Sequence, residues 1–249
     1  MRRADGPQTI YYRISVYEDA TSDQADTTPP FPPSPVINEP FNTAVNAIVA
    51  DVRDQSADTE SFTSELLRRM NDPTFAEVSY QGVPDIRVVV YRGYPTMAMV
   101  RLPTRASDGK ANLHKGAVGA GIDMSSGETL TGVLGNAVVD EHPDTGALIT
   151  GLRIPHWDFI LRSAARGYEV TGLGYLGVDM VIDRERGPLI LEMNARPGLN
   201  IQIANCTGLA KRIARVDEIH DESAGPDERS RVARREFPAN RQTSMPFDD

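Results

Sequence analysis

The sequence predicts an α/β protein with a sheet-rich centre. Apolar residues recur at helical spacing before residue 71, β-branched and apolar runs broken by Gly and Pro fill the middle, and a helical stripe returns at Trp157.

Each element follows in order. Residues 1–40 hold one short candidate strand, TIYYRISVY from Thr9, and then the acidic, Pro-rich EDATSDQADTTPPFPPSPV, which cannot bury much surface and is expected to be a flexible segment. Phe41, Val45, Ile48, Val49 and Val52, then Phe62, Leu66, Leu67 and Met70, predict two amphipathic helices separated by QSADTES. IRVVVYR, TMAMVRL and LTGVLGNAVVD predict strands. WDFILRSAARGYEV predicts a helix with Trp157, Ile160, Leu161 and Ala164 on one stripe, and IQIANCTGLAKRIARVDEI predicts another. The charge-dense end predicts disorder, so the expected organisation is a segment at 1–40, one domain at 41–215 and a disordered tail at 216–249.

Composition excludes several classes. A chain of 249 residues with 40% hydrophobic content can bury a core. No apolar run reaches the roughly 18 residues of a membrane span. The start, MRRADGPQTIYYR, lacks the apolar stretch of a secretory signal, so a cytoplasmic location is expected. The single cysteine, Cys206, rules out an internal disulfide and is expected to serve packing. A net charge of -9 argues against nucleic-acid binding while leaving room for a local phosphate pocket.

The most informative stretch is GVDMVIDRERGPLILEMNARPG, from Gly177. A four-residue loop at 184–187 would set Asp183 opposite Pro188, Val181 opposite Ile190 and Asp179 opposite Glu192. Val178, Met180, Ile182, Leu189, Leu191 and Met193 then share an apolar face, while Asp179, Glu192 and Asn194 gather on the other. Two carboxylates that close repel unless a cation lies between them, and an all-oxygen set suits magnesium or manganese. The alternative is a polar hairpin edge satisfied by water or arginine.

This hairpin resembles the C-terminal metal-binding hairpin of ATP-grasp ligases, particularly ribosomal-protein glutamate ligase and its alpha-L-glutamate ligase-like relatives. GVPDIRVVVYRGYPTMAMVRLPTRASDGKANLHKGAVGAGID upstream and the closing NARPGLNIQIAN resemble the sugar-transfer-associated branch, so the likeness spans about residues 80–209. It implies an α/β (α+β) C-terminal lobe, an antiparallel sheet backed by helices, and an ATP- and magnesium-dependent carboxylate–amine ligase that works through an acyl phosphate. Its partners would be ATP and a carboxylate/amine substrate pair.

Residue by residue, the resemblance implies that Asp179, Glu192 and Asn194 ligate magnesium (or manganese), with Asn194 also at the cofactor. Arg87 would approach the phosphates in a catalytic role, Arg101 and Lys110 would bind the cofactor, and Arg105 and Asn112 would act in catalysis. Arg105, His114, Arg196 and Gly198 would face the substrate. On the residues alone, Arg87 could equally be an outward strand charge, the basic loop residues ordinary loop charges, and NARPGLN a strand-ending turn.

Relatives of this kind hold ATP between two subdomains, the upstream one supplying a glycine-rich loop, paired lysines and the adenine hinge. Here no glycine lies between Gly6 and Gly82 and no lysine precedes Lys110, although Arg53, Arg68 and Arg69 offer positive charge. The upstream lobe is therefore expected to be reduced or missing. That would make the chain a truncated, non-catalytic binding protein, or half of a split ligase whose partner chain supplies the lobe.

Overall fold

The computed structural model describes residues 72–184 and 186–239. The strand, linker and two helices expected upstream lie outside these residues, as do Arg53, Arg68 and Arg69. Seven strands, β1 (Asp85–Tyr91), β2 (Tyr94–Leu102), β3 (Val118–Ile122), β4 (Thr129–Leu134), β5 (Ala137–Val139), β6 (Tyr175–Asp183) and β7 (Gly187–Asn194), form one sheet in the order β5-β4-β3-β2-β1-β6-β7. Every neighbouring pair is antiparallel. Helix α1 (Trp157–Thr171) lies between β5 and β6 in sequence, and α2 (Ile201–Ala204), α3 (Ala210–Ile219) and α4 (Pro226–Glu236) follow the last strand.

Alternation along the strands sorts the sheet into two faces. Ile86, Val88 and Val90 of β1, Ala98 and Val100 of β2, and Val178 and Met180 of β6 pack with Ile160, Leu161 and Ala164 of α1 in the main core. The expected stripe on α1 is thus the buried one. The opposite face carries a smaller cluster in which Val89, Met97 and Met99 meet Ile201, Ala204 and Leu209. Among the described residues, α2 and α3 pack over β2, β3 and β4. The polar residues of β1, β6 and β7 occupy the rest of this face.

Five expectations need correction. The run LTGVLGNAVVD is two strands, because Gly135 at φ 60° and Asn136 turn the chain between Leu134 and Ala137. The single helix expected over IQIANCTGLAKRIARVDEI is two, broken where the Asn205 side chain donates to the Ala98 and Ile201 carbonyls and Cys206 takes φ 48°. Cys206 is exposed there, so it does not serve packing.

The tail is ordered in part. Helix α4 starts on a proline, carries Asp227 and Glu228 in its first turn and Arg234 and Arg235 in its last, and so complements the helix dipole. Val232, Ala233 and Phe237 enter the main core. Three apolar residues hidden among charges were enough to dock the segment.

The fifth correction is the hairpin register. Asp183 pairs with Gly187, which adopts φ 77°, so the loop has three residues, and Met180 pairs with Ile190 and Val181 with Leu189. A bulge at Leu191 absorbs the one-residue shift. Ile190, rather than Leu189 and Leu191, therefore joins Met193 in the core. Beyond the bulge the expected pairing of Asp179 with Glu192 holds.

Candidate functional site

The registers place chemistry in two adjacent rows across the second face. Glu192, Asp179, Arg87 and Met99 form one row, and Asp85, Arg101 and Gly119 form the next. Arg87 donates from Nε to Asp179 Oδ1 at 2.7 Å and from Nη2 to Oδ2 at 2.5 Å. Arg101 forks onto Asp85 through Nε and Nη2, both at 2.5 Å, and Nη2 also reaches Asp179 Oδ2 at 2.9 Å. Asp179 is 2% exposed and Asp85 8%. Bidentate pairing is what makes such burial tolerable, since a lone buried carboxylate costs several kcal/mol.

Burial pushes the Asp85 carboxyl up to about 6, against the opposing attraction of Arg101. Burial alone would weaken protonation of Arg101, but the charges of Asp85 and Asp179 outweigh it and raise its pKa. Arg101 stays charged.

Glu192 stands beside this network, and its Oε1 is buried with no hydrogen-bond partner among the described residues. Asn194 is buried across from Gly177. A side chain at Gly177 would meet Pro197 at 2.6 Å, so the glycine lets the NARPG turn fold down onto the strand beside Asp179. Three carboxylates and two guanidiniums leave one unit of negative charge, at the glutamate with the unpartnered oxygen.

The donor set fits magnesium on one condition. Glu192 and Asn194 offer oxygens, but both oxygens of Asp179 already accept from arginine. Among the described residues no group of three or more His, Cys, Asp or Glu is arranged to hold a metal. Arginine satisfaction, the alternative open at the sequence level, describes Asp179. A cation shared by Asp179 and Glu192 would require Arg87 and Arg101 to take other anionic partners.

Other expected site residues lie apart from the cluster. Arg105 is exposed over the Tyr80 ring, 4.0 Å from Asp144, and Lys110 pairs with Asp108 of its own loop at 2.7 Å. Asn112 accepts from the His114 backbone N–H and so caps a short turn, Leu113–Lys115, leaving His114 exposed. Arg196 and Gly198 are exposed, and no atom crowds Gly198. Sequence reasoning missed Asp85. Its signal was present: it stands two residues before Arg87 on the same strand, and hence on the same face.

The antiparallel sheet and the helices backing it are those of an ATP-grasp lobe, with the carboxylate and arginine rows across its second face. Residues 41–218 match the family described as sugar-transfer associated ATP-grasp, and the chain belongs to that family. Membership brings ATP-dependent, ligase-like activity as the general chemistry. No curated protein matches the chain. Residues 1–80 also match a family described as an inactive transglutaminase fused to seven transmembrane helices. That match overturns the cytoplasmic location expected from composition. Among the described residues no helix is long and apolar enough to cross a membrane.

Proposed function

We propose that the chain is an ATP- and magnesium-dependent carboxylate–amine ligase of the glutamate ligase type. The observation behind this reading is the set of buried, paired charges whose partners match those of a metal–nucleotide complex. Arg87 and Arg101 present fork-shaped donors suited to phosphate oxygens, and Asp179, Glu192 and Asn194 present hard oxygens suited to magnesium. ATP with its magnesium would supply the phosphoryl group that activates a carboxylate for capture by an amine.

The protein's own contribution is positioning and charge neutralisation. Arg87 and Arg101 would hold phosphate oxygens, and Asp179, Glu192 and Asn194 would hold the cation, once the arginines took the phosphates in place of Asp179. Asp85 keeps Arg101 charged and aimed along the sheet. Lys110, Arg105 and Arg196, exposed on loops apart from the charged rows, would be further cations for nucleotide and substrate.

A second reading, a non-catalytic binding protein or half of a split ligase, is favoured by one observation: Asp179 is fully satisfied without any ligand. ADP release from Mg–ATP separates the two. The full chain, offered carboxylates including glutamate together with amines, should release ADP, and Arg87→Ala should lower the rate by roughly 100-fold. ADP release that depends on no substrate pair, or that is indifferent to Arg87, would sink the ligase reading.

A further inference from the structure

A cavity of about 400 Å³ lies over the β3–β4 side of the sheet. Its walls include Leu113 and His114, Val133 of β4, Asn136 of the β4–β5 turn, and Asn200 and Ile203 at α2. We infer that this cavity binds an uncharged, hydroxyl-bearing group of the glycosyl type, and, resting on the ligase reading above, that this group belongs to the substrate.

The lining decides the charge. Charged side chains make up 24% of the chain, yet no Asp, Glu, Lys or Arg lines this cavity. A formal charge seated there would meet no counter-ion in the lining, which disfavours an acidic amino acid. Arg105, which faces Asp144 across two loops, and Lys110, paired with Asp108 of its own loop, are the cations that an acidic substrate would need, and neither lines the cavity.

The polar groups present match hydroxyls. A carboxamide carries both donors and an acceptor, as a hydroxyl does, so one asparagine can grip two neighbouring hydroxyls at once. Asn200 precedes α2 without making a capping bond, and Asn136 is exposed at its turn. His114 adds a third polar group. Leu113, Val133 and Ile203 supply an apolar wall for the C–H face of a ring, and Ile203 is 46% exposed.

Position links the cavity to the charged rows. Val133 pairs with Gly119, which pairs with Arg101, so the cavity wall stands two strands, roughly 10 Å, from the Arg101 backbone on the same face. A side chain at Gly119 would meet Leu113 at 2.9 Å, and its absence lets the Leu113–Lys115 turn close down beside β4. A ligand seated in the cavity thus lies near the arginines without touching them.

The test is a nuclear magnetic resonance titration of the ¹⁵N-labelled full chain, observing side-chain amides. N-Acetylglucosamine or methyl glucoside should shift the Asn136 and Asn200 amides saturably, in the millimolar range. Asn200→Ala should weaken binding about tenfold, the loss of a hydrogen bond or two. L-Glutamate should leave these signals in place. Signals that move with glutamate but not with the neutral sugars, or with neither, overturn the inference on wild-type protein, whatever the variant does. A magnesium-nucleotide titration of the same sample reports at Asn194. Nucleotide binding without a sugar response sinks the cavity inference alone, whereas a sugar response without nucleotide binding sinks the ligase reading alone.

Discussion

Arg101→Met probes the charged rows most severely. The substitution removes both hydrogen bonds to Asp85 and one of the three that Asp179 accepts from arginine, while a methionine of similar length keeps much of the packing. Breaking a buried pair this way costs about 3–5 kcal/mol, because the abandoned carboxylate is left uncompensated. Asp85 has an escape, since its pKa is already about 6 and losing Arg101 raises it further. Below pH 6 both proteins hold Asp85 protonated, and the penalty is smallest. Above it the variant binds a proton that the wild type has released, so its relative stability falls by about 1.4 kcal/mol per pH unit. Urea unfolding followed by the fluorescence of Trp157, the single tryptophan and a buried one, measures this directly. Adding Asp85→Asn should restore most of the loss, because Asp179 keeps Arg87. A penalty below about 1 kcal/mol with no pH dependence would show that the pair is solvated, and the reasoning would fail.

Other outcomes follow from single features. Asp85 alone makes the wild-type fold favour a protonated carboxyl: its folded value of about 6 exceeds the ordinary 3.8, so that contribution is complete below 3.8 and lost as pH rises toward 6. The loss is about 3 kcal/mol, and Asp85→Asn should flatten stability measured across that window. Phe237→Ala should cost about 3 kcal/mol in urea unfolding if α4 is part of the core; a cost near zero would show the tail undocked. Cys206, exposed beyond α2, should be labelled by a maleimide in the folded protein as fast as in urea, and strong protection would contradict its position.

Much of the site was legible because strand alternation is a strong constraint. The facing of Asp179 and Glu192 survived an incorrect loop length, since the bulge at Leu191 cancelled the error before the carboxylates were reached. The same error placed Leu189 and Leu191 in the core where Ile190 belongs. Strand β3 left no periodic signal of its own because Gly119 and Gly121 carry no side chain; their outward positions are filled by Leu113, Ala204 and Asn205 from elsewhere in the chain. The tail misled through composition, since Val232, Ala233 and Phe237 are few among many charges. Arginine pairing of Asp179 could not be chosen over a metal from sequence, because it depends on β6 docking beside the β1–β2 hairpin, whose arginines lie 92 and 78 residues earlier.

Calorimetric titration of the full chain with a non-hydrolysable ATP analogue, with and without magnesium, decides whether the charged rows hold a metal-bound nucleotide. Binding should require magnesium and disappear in an Asp179→Ala, Glu192→Ala double variant that still unfolds cooperatively. An intact, folded chain that binds no nucleotide, or a double variant that binds as the wild type does, would contradict that role for the rows.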